Sequence, residues 1–164
     1  LQKNSKIILD AKSGISGAGK SSVENGLEDD IKENFKSYNV GFHRHQPEIK
    51  DFLKTEFNLE HEIIFIPHLL PLFRGEYVTL YCEVSQNDLD LNELYESYYE
   101  KHKLVRVKEK GEIAEIKEVI NTFYCDISVS YAFQSNTIIV NSAIDNLLKG
   151  AASQAIQCLD IMSS

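Results

Sequence analysis

The clearest periodicity in the chain lies at Glu76–Val84, where Val78, Leu80, Cys82 and Val84 alternate with Tyr77, Thr79, Tyr81 and Glu83. A period of two predicts a strand in a sheet covered on one side. Lys6–Asp10 reads as a buried strand and leads into a Gly/Ser loop at 13–22. Tyr38–Phe42 and Glu62–Ile66 predict two further strands, and runs at Leu104–Val107, Phe123–Phe133 and Thr137–Asn141 complete the set. A polar stretch covers 24–37, and Pro67 and Pro71 bracket an expected loop that holds His68. Helical spacing appears three times. Ile49, Phe52, Leu53 and Phe57 share one face of a helix opened by Pro47 and ending near Asn58. Asp90-Leu-Asn-Glu93 has the form of a capping box, followed by a stripe of Leu91, Leu94, Tyr95 and Tyr98. A last helix from about Asp145 aligns Leu148, Ala152, Ala155, Leu159 and Met162. Strands cluster in the middle instead of alternating with helices. The pattern therefore predicts an α+β fold with a mixed, largely antiparallel sheet.

Composition narrows the function classes. The chain has 164 residues, enough for one domain with a real core, and its 43% apolar content with eight Tyr and eight Phe marks a globular chain. A net charge of -8 argues against a nucleic-acid partner, whose phosphates need a basic face. No apolar run approaches the roughly 20 residues that span a bilayer. Cys82, Cys125 and Cys158 are odd in number and widely spaced, which fits reduced thiols in a cytoplasmic setting. Each reads as a small buried hydrophobe rather than a nucleophile. The chain starts at Leu1 without an initiator Met or signal pattern, as expected of a piece of a longer polypeptide.

Candidate chemistry concentrates in His43-Arg-His-Gln-Pro-Glu48. Two imidazoles sit where an expected strand gives way to a helix, and Glu48 falls where the positive end of the helix dipole favours an anion. A metal site from His43, His45, Glu48 and His68 is a weaker alternative, since no cysteine joins the set. Gly14-Ile-Ser-Gly-Ala-Gly-Lys-Ser21 satisfies the P-loop pattern letter for letter and would make the chain a nucleotide-binding kinase or NTPase. Its context argues otherwise. A phosphate cradle needs a helix starting at Lys20, yet only Val23 and Leu27 are apolar before Ile31, and Glu28-Asp-Asp30 is acidic.

Five ordered blocks carry a resemblance. Asp10–Lys20, His43–Ile49, Phe65–Leu69 with Arg74-Gly75, Phe123–Ile127 and Ile144–Gln157 together resemble the N-acetyl-gamma-glutamyl-phosphate reductases, relatives of aspartate-semialdehyde dehydrogenase. The likeness covers essentially residues 1–164 and corresponds to the catalytic and dimerisation domain, with a fold like the C-terminal domain of glyceraldehyde-3-phosphate dehydrogenase and helices on one face of the sheet. It implies an NADPH-dependent, cytoplasmic enzyme of arginine biosynthesis acting on a small-molecule acyl phosphate, as a homodimer or homotetramer. It also implies that a dinucleotide-binding domain and a cysteine in a Cys-Tyr-Pro-Thr-type setting lie outside this chain, which should not turn over substrate alone. By the same resemblance His43 matches the catalytic histidine; spacing alone does not say which ring points into the cleft, so His45 could exchange roles with it, and Glu48 is the candidate for holding the tautomer. Arg44, His45, His68 and Arg74 are expected around the substrate's phosphate and carboxylate. Ser13, Gly14, Ser16 and Gly17 are expected against NADP through their backbone amides, and Asn146, Lys149 and Gly150 beside the nicotinamide. No metal is implied. A non-catalytic module that dimerises through its sheet face is the remaining alternative.

Overall fold

The computed structural model describes residues 1–2, 5–18 and 27–163. Strand β1 (Lys6–Gly14) pairs in parallel with β3 (Glu62–Leu70) on one side and antiparallel with β4 (Glu76–Glu83) on the other. The two-residue β2 (Lys36–Ser37) adds to the outer edge of β3, while β7 (Thr137–Ile144), β6 (Cys125–Tyr131) and β5 (Val105–Val107) extend the sheet beyond β4. The order is β2-β3-β1-β4-β7-β6-β5, with only the β1–β3 and β5–β6 pairings parallel. The expected mixed, largely antiparallel α+β sheet is what the chain forms.

Register assigns the faces. Ile7 stands beside Ile63 and Cys82, and with Leu9, Leu80 and Ile138 they form an apolar patch that receives Ile49 and Leu53 of helix α2 (His45–Phe57). Helix α3 (Leu91–Tyr99) packs against β5 and β6 on the same face and brings Tyr95 near Cys82. Burying each such Ile or Leu is worth about 1.5–3 kcal/mol. A smaller cluster of Ile15, Ile31 and Leu69 ties the 3-10 turn Ile15–Ala18 to helix α1 (Leu27–Ile31). On the opposite face, Ala114 and Val119, the latter at the end of the four-residue helix α4 (Ile116–Val119), close over Ala143 and Tyr77. Beyond that cover, a cross-strand row of Ile64, Ile8, Tyr81 and Ile139 is only half-buried. After β7, a π-helical turn (Leu148–Ala152) leads into helix α5 (Ser153–Ser163).

Several boundaries depart from the sequence reading, each for a physical reason. Tyr38–Phe42 is a turn, not a strand. Pro67 accepts the Tyr38 N–H at 3.1 Å but has no N–H to return to the Tyr38 carbonyl, so pairing with β3 ends at Ser37. The chain then reverses through Asn39 and Gly41, both at positive φ. His68 is not in a loop, because β3 runs on through Pro67 to Leu70. The predicted helix α2 opens two residues before Pro47, which is tolerated because the first helical amides have no intrahelical partner anyway. The last helix is interrupted by the π turn, and Ile156, Leu159 and Met162 are exposed. Cys158 is exposed as well, while Cys82 is buried and Cys125 half-buried. Gly19, Lys20 and Ser21 of the P-loop pattern lie outside the described residues.

Candidate active site

The turn created by Pro67 delivers the two histidines to an open cavity of about 700 Å³. Its lining includes Tyr38, His43, Arg44 and His45, and, from the strand ends and the loops beside them, Ser13, Ser16, Gly17, Glu76, Asn146 and Gly150. Arg44 is the N-cap residue of α2 and His45 its first residue, so both are fixed by helix geometry. The His43 ring lies 4.7 Å from that of His45, 5.0 Å from Phe65 and 5.6 Å from Tyr38.

His43 Nδ1 accepts the backbone N–H of His45 at 3.3 Å. Neutral His43 therefore carries its proton on Nε2. Desolvation lowers its pKa, the neighbouring charges of His45 and Arg44 lower it further, and Glu48 opposes them. The result is an imidazole held neutral, with Nδ1 occupied by the His45 amide and a proton on Nε2 to donate. The main chain sets this tautomer. Glu48 acts on His43 through charge alone and does not line the cavity.

Asn146 braces part of the lining. Its Oδ1 accepts the Gly75 N–H at 2.8 Å and its Nδ2 donates to Ser16 Oγ at 2.9 Å, and among the described residues no acceptor takes the Ser16 hydroxyl proton. Behind it, the fully buried Asp145 accepts from the backbone of Leu147 (2.9 Å), Leu148 (3.0 Å) and Asn121 (2.9 Å) and pairs with Arg74 Nη1 at 3.2 Å. Arg74 also donates to Asn121 Oδ1. Gly75, at φ 109°, sits under Ile116, where a Cβ would run into the Ile116 Cγ2 methyl.

Of the residues expected around a ligand, His43, Arg44, His45, Ser13, Ser16, Gly17, Asn146 and Gly150 are brought together. Others are spent elsewhere. Arg74 is committed to Asp145, and Lys149 donates to Gln154 and Gln157 at 2.7 and 2.6 Å. The amides of Gly14 and Ser16 donate to the carbonyls of Gly75 and Phe73, so they are not available to a cofactor. His68 contributes to the cavity rim, but strand alternation sends its ring to the opposite sheet face, against Asp10 (3.0 Å) and Phe35. That placement separates it from His43 and His45 as a joint metal set. Tyr38 and Glu76 are the wall residues that sequence reasoning missed. For Glu76 a signal existed: it falls on the covered side of the β4 alternation, with Val78, Leu80 and Cys82. Burial raises the pKa of both groups; the Glu76 charge raises Tyr38 further, and His45 draws Glu76 back down.

Residues 1–146 match the family described as "Semialdehyde dehydrogenase, dimerisation domain". A protein of Thermoanaerobacter sp. (strain X514) named N-acetyl-gamma-glutamyl-phosphate reductase is 42% identical over 160 residues, covering 96% of this chain and 46% of its own length. One of the same name from Staphylococcus saprophyticus is 40% identical over 162 residues, covering 98% and 47%. The chain thus spans about half the length of the curated relatives it matches. Among solved structures, aspartate semialdehyde dehydrogenase II from Vibrio cholerae superposes with a TM-score of 0.74 at 16% identity, covering 96% of this chain and 54% of that one. A probable aspartate-semialdehyde dehydrogenase from Pseudomonas aeruginosa gives 0.77 at 14% identity, covering 97% and 55%.

Proposed function

The chain belongs to the semialdehyde dehydrogenase dimerisation-domain family, and we propose that it is the catalytic and dimerisation half of an NADPH-dependent reductase. The whole enzyme converts N-acetyl-gamma-glutamyl phosphate to N-acetylglutamate semialdehyde in cytoplasmic arginine biosynthesis. In this reading the dinucleotide-binding domain and the nucleophilic cysteine are supplied by other parts of the parent protein.

The observation that carries the reading is the cavity in which a neutral, backbone-oriented His43 stands beside Arg44 and His45. Arg44 and His45 hold the anionic groups of an acyl phosphate. His43 polarises the reacting carbonyl from Nε2 and donates its proton to the oxygen that gains charge, and before that the same Nε2–H can hydrogen-bond and stabilise an incoming thiolate. We assign the Ser13–Gly17 side of the cavity to the edge of a nicotinamide: among the described residues no acceptor takes the Ser16 hydroxyl proton, and Gly17 packs so closely that a Cβ would meet Ser13 Oγ at 2.7 Å. Ser13, Ser16, Gly17, Asn146 and Gly150 would border the cofactor there, which supplies the hydride when bound.

The half-buried row of Ile64, Ile8, Tyr81 and Ile139 is the face we assign to a second copy of the chain. Sedimentation equilibrium of the chain reads this directly: it should associate, and a monomer at all concentrations removes that face from the reading. The chemical assignment is tested by His43→Asn in the full-length enzyme. Turnover should fall by about 10²–10⁴ with circular dichroism unchanged, and an unaffected rate would remove His43 from its role.

A further inference from the structure

We propose that Glu76 is a specificity-determining residue whose carboxylate accepts the N–H of an acylated amino group on the substrate. The proposal rests on the reductase reading above and deepens it, by saying which part of the substrate meets which wall.

Glu76 supplies the only acidic side chain among the described residues lining the cavity, against the cationic or ionisable Arg44, His43 and His45. It is the first residue of β4 and is paired on both sides, with Ser13 of β1 and Ile144 of β7. The backbone that aims its carboxylate is therefore fixed by the sheet, not by a mobile loop. Among the described residues no hydrogen-bond donor reaches that carboxylate. What acts on it is the charge of His45, and its own field acts on Tyr38. Burial without a donor pushes its pKa above the usual carboxylate range. Glu76 is half-buried, and an acceptor that has lost part of its water without gaining a protein donor profits more from an incoming N–H than a fully solvated one does.

The substrate of the proposed reaction presents three recognisable groups: an acyl phosphate, a carboxylate and one N–H. The two anions are drawn to Arg44 and His45 and repelled by Glu76. Only the N–H profits from lying against a carboxylate. A bland alternative is that Glu76 merely balances the charge of the histidine pair, in which case it would be indifferent to the substrate's nitrogen.

The experiment compares two acyl phosphates in the full-length enzyme: N-acetyl-gamma-glutamyl phosphate, and glutaryl phosphate, which lacks the nitrogen. With Glu76→Leu, kcat/KM for the N-acetyl substrate should fall about 10- to 100-fold, mostly through KM, as expected for loss of one hydrogen bond to a charged group. The rate on glutaryl phosphate should not fall, because that substrate never made the bond and its two anions lose a repelling charge. Glu76→Gln keeps an acceptor oxygen and the residue's shape, so its loss should lie between wild type and Leu, and it secures the test if Leu disturbs folding. Equal losses on both substrates, or none on either, refute the role of Glu76 while leaving the reductase reading intact. A wild-type enzyme that reduces neither acyl phosphate refutes the reductase reading, and the role given to Glu76 falls with it.

Discussion

Replacing Asp145 by Ala would show how strongly the cavity depends on a group that never touches it. The carboxylate is fully buried and takes three backbone N–H groups and the Arg74 guanidinium. Breaking a buried ion pair costs about 3–5 kcal/mol, and each stranded buried amide about 1–3 kcal/mol. These do not simply add. The Arg74 side chain is 29% exposed and can turn towards water, and the turn at Leu147–Leu148 can relax. We expect a net loss of about 4 kcal/mol, a large part of the 5–15 kcal/mol typical of a whole domain. Arg74→Met, by contrast, strands a buried charge but leaves it three amide donors that offset part of the loss, so about 2–3 kcal/mol is expected. Urea unfolding followed by circular dichroism separates the two: at a slope of about 2 kcal/mol/M, the midpoints should drop by about 2 M and about 1–1.5 M. If Asp145→Ala costs no more than Arg74→Met at unchanged slope, the carboxylate is not the hub described above.

Gly75→Ala places a methyl at positive φ and into Ile116, so it should destabilise by more than about 2 kcal/mol in the same assay. A stability equal to wild type would mean that the Gly75–Ile116 approach is not as close as drawn. Thiol labelling with a disulfide reagent should modify Cys158 in the native chain at once, and Cys82 and Cys125 only on unfolding, since burial also pushes their thiol pKa values up. Three equally fast thiols would contradict the packing around β4 and β6. Tyr95 is pushed up to about 12 by burial, ahead of smaller effects from Cys82 and Tyr99. Its folded pKa lies above the unfolded value, so its contribution is intact below about pH 10 and is lost as pH rises from about 10 to about 12. Absorbance titration should find it among the last tyrosines to ionise, and a Tyr95→Phe variant should lose less stability over that window.

Local signals carried much of the architecture. The period-two run at 76–84 became β4, and the box at Asp90 caps α3, with Oδ1 accepting from Asn92 and Glu93 at 3.0 and 3.2 Å. His43, Arg44 and His45 were legible because a dense titratable run before an amphipathic helix is a local pattern. What failed was decided at long range. Tyr38–Phe42 has strand character, but a proline on the neighbouring strand refuses the second hydrogen bond. Arg74 looked like an anion binder because its true partner, Asp145, is 71 residues away. Lys149 found two glutamines on the next turns of its own helical segment instead of the cavity. Glu76 could have been found by asking which side of the alternation it shares.

The two ends of the sheet are a pair of stubs, β2 with two residues and β5 with three. Neither stub by itself offers much unpaired backbone, and at β2 the proline opposite cuts the ladder short. A strand added to a stub gains few hydrogen bonds, whereas the half-buried row proposed above as the dimer face would stack on a copy of itself. Stacking of that kind saturates after one partner. A sheet built this way is biased towards a closed pair and away from the open-ended ribbons that exposed edges allow.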